Sequence, residues 1–143
     1  MRFISEILEV DETHILTRYI WTEADCAGHF PGYPVVPGVK ILECAAQAGC
    51  VAWGIYHLAL ARGIEAASGG LGFFTGVDAA AFLRPVRPGS TVTARACFGE
   101  EGFFRDGKIV SEVVVSLENG PEVFRGRLSG MWVPKPAQEH AFS

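Results

Sequence analysis

Two side chains in this sequence are of a type that can move protons on a small molecule. His29 carries an imidazole, whose unperturbed pKa lets it take or give a proton near neutrality. Glu43 is a carboxylate followed by 18 residues, 44–61, with no Asp, Glu, Lys or Arg among them. In so apolar a setting a carboxyl is expected to be buried and its pKa raised, so that it keeps its proton and acts as a donor. Each has a plainer reading when taken singly: a histidine before a helix is commonly a hydrogen-bonded structural residue, and Glu43 could pair with Lys40 or Arg62 on a wet helix face. His57 falls on nearly the same helix face as Glu43 but about 21 Å along the axis, too far to share a proton, and reads as structural. His14 and His140 have no constellation around them. Cys26 and His29 show C-x-x-H spacing, but no second pair completes a zinc set and no metal is expected.

The segment that would position His29 is unusual. His29 to Gly38 holds three prolines and two glycines in ten residues, so its backbone has few conformations, and a stiff loop suits a side chain that must meet a reacting atom. A helix over 38–61 follows. Pro37 suits its first turn and Gly63 a left-handed stop. A span of about 35 Å is long for a chain of 143 residues. It is not read as a membrane span, since it is built on Ala, Gly and Cys and contains Gln47 and His57. A helix with small or apolar residues on every side is expected to be surrounded by protein. The wrapper comes from strands at Phe3–Val10, His14–Thr22, Leu71–Leu83, Thr91–Gly99, Lys108–Glu118 and Val123–Val133. Asp106-Gly107 and Asn119-Gly120 between the later strands favour turns that match strand twist. The order, two strands, one long helix and four or more strands in a meander, gives an α+β fold with a curved antiparallel sheet around one helix.

Composition narrows the function. Apolar residues make up 49% of the chain, which supports one buried core, read as a single domain over 1–134 with a flexible tail, 135–143. Twelve basic against 16 acidic residues give a net charge of −4, which argues against nucleic-acid or polybasic membrane binding. Cys26, Cys44, Cys50 and Cys97 show no framework spacing and no secretory signal opens the chain, so reduced thiols in a cytoplasm are expected.

His29-Phe30-Pro31-Gly32, Pro34, Pro37-Gly38, Glu43 and Ala46-Gln47 resemble the signature of the FabZ-type 3-hydroxyacyl-acyl-carrier-protein dehydratases, with the family's fourteen-residue interval from histidine to glutamate. Phe82-Leu83-Arg84-Pro85-Val86-Arg87-Pro88-Gly89 looks like the family's second block, and the match runs over roughly 3–133. The resemblance implies a hot-dog fold and a lyase that dehydrates a 3-hydroxyacyl thioester on acyl carrier protein to the trans-2-enoyl thioester, in fatty-acid or polyketide-type elongation. It also implies roles: His29 and Glu43 catalytic, the Gly38 N–H at the thioester oxygen, the Val35 carbonyl fixing the histidine tautomer and Gln47 orienting Glu43. Phe30, Phe73 and Phe74 would border the substrate tunnel, and Arg84 and Arg87 would meet the acidic carrier protein, with Arg62 and Lys40 as weaker candidates. The substrate rides on the carrier's phosphopantetheine, so the enzyme needs no cofactor of its own. Family members pair edge to edge as dimers, some as hexamers, with histidine and glutamate drawn from opposite subunits. The related FabA branch has aspartate where this chain has Glu43, so isomerisation is not expected. The Pro-His-Arg-Tyr-Pro-type segment that precedes the first strand in typical members has no match here, which bears on the tunnel wall. The alternatives are a non-catalytic or hetero-dimerising hot-dog subunit that binds carrier protein, and a hot-dog thioesterase, which does not carry the histidine-to-glutamate signature.

Overall fold

Strands form where alternating residues turn one face toward the central helix. The computed structural model describes residues 2–134; the expected tail, 135–143, and His140 lie outside the described residues. β1 (Glu6–Val10) and β2 (His14–Ile20) make the first hairpin. The Asp11 carboxylate accepts the backbone N–H groups of Thr13 and His14, which closes the turn. After the helix come β3 (Gly70–Phe82), β4 (Thr91–Cys97), β5 (Phe103–Arg105), β6 (Lys108–Leu117) and β7 (Glu122–Pro134). They form one antiparallel sheet in the order β1-β2-β4-β6-β7-β3, with β5 pairing only with β6. The expected meander is therefore β4-β6-β7, whereas β3 crosses to the far edge beside β7.

Several boundaries differ from the sequence reading. Phe3 precedes the first strand instead of opening it, because its ring is buried between Tyr19 and Trp21. Asp106 and Gly107, at φ 54° and 82°, make the expected mirror-image turn between β5 and β6. At Asn119-Gly120 it is Asn119 that takes the positive φ, 56°, and the loop is wider, closed by the Leu117 N–H on the Pro121 carbonyl. The short strand β5 and a short helix over Ile64–Ser68 were not legible in the sequence.

The helix departs most. It runs as α1 (Gly38–Ala46), a π-helical stretch (Gln47–Ala52) and α2 (Trp53–Arg62), followed by α3 (Ile64–Ser68). Pro37, at φ −58° and ψ 140°, is the residue before the first turn and not within it. Gly63, at φ 94° and ψ 160°, ends the helix in a conformation open to glycine but outside the left-handed helical region. At the crossing with the sheet a Cβ on Gly49 would stand 2.5 Å from Val113 Cγ2, and one on Gly130 of β7 would stand 2.7 Å from Cys50 Cβ. Glycine at both positions lets helix and sheet touch backbone to side chain.

Around this crossing lie Trp53, Phe124, Leu128, Ile109, Val113 and Val115, all fully buried. Each such side chain contributes about 1.5–3 kcal/mol through removal from water. The sheet covers one side of the helix only. Val39, Ile55 and Leu60 are exposed on the other, which corrects the expectation of a helix enclosed all round. The stretch Gly38–Arg62 is long and apolar enough to cross a bilayer, with mean hydropathy 1.2, but half of it is buried inside the protein, as in a core helix.

The sheet's two edges are unlike. β1 has five residues with Glu6 and Glu9 among them, and Glu6 pairs with Arg18 of β2. β3 has 13 residues, with Leu71, Phe73, Val77 and Phe82 exposed. A long apolar edge is a template for strand pairing.

Candidate active site

The loop before the helix holds His29 by its backbone. The His29 N–H donates to the Cys26 carbonyl at 2.9 Å, the Val35 N–H to the His29 carbonyl at 2.7 Å, and Phe30 and Tyr33 exchange a pair of backbone bonds. The Val36 N–H donates to the Val86 carbonyl at 2.7 Å, which ties the loop to the second sequence block. Upstream, the buried Asp25 carboxylate accepts from the Tyr19 hydroxyl and the Thr22 N–H, both at 2.9 Å, and Lys40 Nζ donates to the Asp25 carbonyl at 2.8 Å. Lys40 thus ties the helix to the segment before the loop.

The half-buried His29 ring has Nδ1 3.4 Å from the Val35 carbonyl, the expected tautomer partner, and stacks on Phe30 at 4.1 Å between ring centres. With Nδ1–H directed at a carbonyl, Nε2 is left as the basic nitrogen. Phe30 itself is exposed.

Beside this loop an open groove of about 320 Å3 is lined by Val35, Val36, Gly38, Ile41, Phe82, Leu83, Arg84 and Pro85. Gly38 is the first helical residue, and first-turn N–H groups lack intrahelical acceptors and stand at the positive end of the dipole. A Cβ at Gly38 would meet the Phe82 ring at 3.2 Å, so a larger residue would push that ring aside. Phe82 was not singled out from the sequence. Its signal was its place at the start of the second block.

Glu43 lies elsewhere. It is exposed, on the bare side of the helix, so the expected burial is corrected for the single chain: the sheet does not reach that face. It lines a second groove of about 420 Å3 with Arg2, Ile4, Gln47, Val51, Ala52 and Ile55. Gln47 Nε2 donates to Glu43 Oε2 at 3.2 Å, while Gln47 Oε1 accepts the Phe3 N–H at 2.6 Å. The backbone of Phe3 thereby sets which way the amide points, and the amide presents its NH2 to the carboxylate. The two grooves share no lining residue.

The remaining candidates divide. Arg84 and Arg87 are exposed; Arg84 Nη1 donates to the Glu122 carbonyl at 2.6 Å and the Arg87 guanidinium lies 4.6 Å from the Tyr33 ring centre. Arg62 sits over Trp132 at 5.7 Å. Phe73 is exposed on edge strand β3 and Phe74 packs against the core, and neither lines the two grooves. His57 does not share Glu43's face. It packs among Trp53, Phe98 and Phe104 with Nε2 buried and unpaired, and burial pulls its pKa below the ordinary histidine value. The π-helical stretch between the two residues is the reason. All four cysteines are free, and burial pushes the Cys44 and Cys50 thiols up to about 12. Among the described residues no three metal-ligating side chains cluster.

The sheet-and-helix architecture is shared with solved structures of low sequence identity. The dehydratase heterocomplex ApeI:P of Xenorhabdus doucetiae aligns with TM-score 0.70 and 17% identity, over 97% of this chain and 86% of that one. A thioesterase of Haemophilus influenzae aligns with TM-score 0.63 and 21% identity, over 90% of this chain and 78% of that one. These define the fold as hot-dog.

Sequence goes further. The model of the ApeI-like dehydratases, described as ApeI dehydratase, matches residues 11–105. The 3-hydroxyacyl-[acyl-carrier-protein] dehydratase FabZ of Thermus thermophilus is 41% identical over 122 residues, covering 83% of this chain and 78% of that protein. FabZ of Desulfotalea psychrophila is 44% identical over 89 residues, covering 60% of this chain and 55% of that one. The chain belongs to the FabZ and ApeI-like family of hot-dog dehydratases.

Proposed function

We propose that this protein removes water from 3-hydroxyacyl chains carried as thioesters on acyl carrier protein, giving trans-2-enoyl thioesters in fatty-acid synthesis. The observation that supports it most is the kinship with FabZ at 41% identity joined to a His29 ring whose Nδ1 faces the Val35 carbonyl. Nε2 of neutral His29 takes the proton from C2 while the Gly38 N–H stabilises the negative charge that grows on the thioester oxygen. Protonated Glu43, oriented by Gln47, gives its proton to the C3 hydroxyl, which leaves as water as the C2–C3 double bond forms. Transfer of the His29 proton back to Glu43 restores the site. Phe30 and Phe82 border the thioester end, and Val51 and Ile55 are apolar wall for the acyl chain. Arg84 and Arg87 receive the acidic carrier protein.

Both residues of the pair are in this chain, but on separate grooves. A second copy paired along β3 would supply the missing half, His29 of one copy facing Glu43 of the other, and would cover the groove that leaves Glu43 in water. The four free thiols suit a cytoplasmic compartment. The thioesterase reading has only fold likeness behind it, at 21% identity.

The test is incubation of the purified protein with 3-hydroxyacyl thioesters on acyl carrier protein. Enoyl thioester supports the reading. Free carrier thiol identifies a thioesterase, and retained carrier protein with no product identifies a binding subunit.

A further inference from the structure

The buried row of β6 reads Ile109, Ser111, Val113, Val115, all at most 1% exposed. One hydroxyl in a dry aliphatic row needs a partner. Ser111 Oγ donates to the Gly49 carbonyl at 2.9 Å, and Gly49 is in the π-helical stretch of the central helix. Gly49 and Ser111 are a fitted pair, since a Cβ on Gly49 would stand 2.8 Å from that hydroxyl oxygen. At the end of the stretch the Trp53 N–H donates to the Ala48 carbonyl five residues back, the π register. Such a wide turn persists where something outside the helix holds it, and here the sheet does.

The turn changes which residues share a face. At about 100° per residue, a regular α-helix would carry Val51 about 80° and Ile55 about 120° away from Glu43. Through the π stretch each residue advances by only about 80°, which brings Val51 and Ile55 to within about 40° of Glu43, where a regular turn already places Gln47. All four line the same groove. The same shift turns His57 from Glu43's side into its aromatic surroundings.

We infer that Ser111 is a specificity-determining positioning residue: from the sheet it holds the π-turn that lines up Val51 and Ile55 with Glu43, and so sets which acyl chains the groove accepts. This rests on the dehydratase reading, in which that groove takes the acyl chain. Ser111 touches no substrate. Its loss lets the turn relax toward the α register, which rotates the apolar wall away from the acid and leaves Glu43, ahead of the turn, and Gln47, at its first residue, in place.

The experiment compares full-length wild type, Ser111→Ala and Ser111→Cys on 3-hydroxybutyryl and 3-hydroxydecanoyl thioesters of acyl carrier protein, with amide hydrogen exchange over residues 49–54. Ser111→Ala keeps kcat/KM on the short substrate within about twofold and loses about tenfold on the long one, chiefly in KM, with faster exchange. Ser111→Cys, which keeps a weak donor, recovers part of the long-chain rate. Equal losses on both substrates, or an unchanged ratio with unchanged exchange, overturn the inference. A wild-type protein that forms no enoyl product from either substrate instead removes the dehydratase reading, and the specificity role with it.

Discussion

Around His29, five backbone hydrogen bonds and three prolines fix a loop that reaches its final form within one chain, down to the carbonyl that selects the tautomer. Around Glu43, the carboxylate stands in water at the rim of an apolar groove, steadied by Gln47 and the N-terminal backbone. A base needs only orientation to work, and a short stiff loop supplies it. An acid that must stay protonated near neutrality needs a dry setting, and a chain of this size has spent its sheet on the other side of the helix. The contrast teaches that this fold fixes His29 within one chain and leaves Glu43 exposed, and on the proposed function a second copy attached along the long β3 edge is what covers it.

Replacing either half should have the largest effect. His29→Ala and Glu43→Gln are each expected to lower kcat for dehydration by about 10²–10⁴-fold, with thermal unfolding and oligomeric state unchanged. A variant that retains the full rate takes that residue out of the mechanism. Gln47→Leu probes what steadies the acid: it strands the Phe3 N–H and the Glu43 carboxylate together, and kcat should fall about tenfold with KM little moved. If KM rises instead, Gln47 binds substrate and does not orient the acid.

The comparison also marks what could be read without coordinates. The His29 loop was legible because proline and glycine act locally: the residues that set its shape are the residues in it, while the Val35 contact was implied by the family resemblance and not by the loop itself. The helix start and the β5–β6 turn were legible for the same reason. Three features were not. The exposure of Glu43 depends on how far a sheet curls, which strand patterns do not encode. The crossing of β3 to the far edge is decided by packing of the whole sheet. The π-turn leaves no hydrophobic period of its own, and its signals, a glycine against the sheet and a serine in a row of valines, are read only when helix and strand are set together. Missing it also misplaced His57 by most of half a turn.

On the proposed function carrier docking falls on the His29 side, since Arg84 borders that groove. Arg84→Glu with Arg87→Glu should raise KM for a carrier-borne substrate about three- to tenfold and leave KM for the same acyl group on a small soluble thiol unchanged. Equal effects on both substrates would place these arginines at the acyl site. The smallest effect is on pH dependence. His57 is held neutral by its buried setting among Trp53, Phe98 and Phe104, with Glu12 opposing weakly. Its folded pKa lies below its unfolded value of about 6.5, so its contribution to stability is full above that pH and is lost as the pH falls below it. His57→Phe should flatten the fall in Tm between about pH 7 and 5, and an unaltered slope would assign acid sensitivity to other groups.

The most direct test mixes the two dead halves. His29→Ala and Glu43→Gln proteins, inactive apart, are unfolded together and refolded at equal concentration, so that half of the pairs carry one variant of each kind. With His29 of one copy facing Glu43 of the other, each mixed pair holds one intact site, and dehydration should return to about a quarter of the wild-type rate. A mixture no more active than the separate variants would show that each site draws both residues from a single chain, or does not use them as a pair.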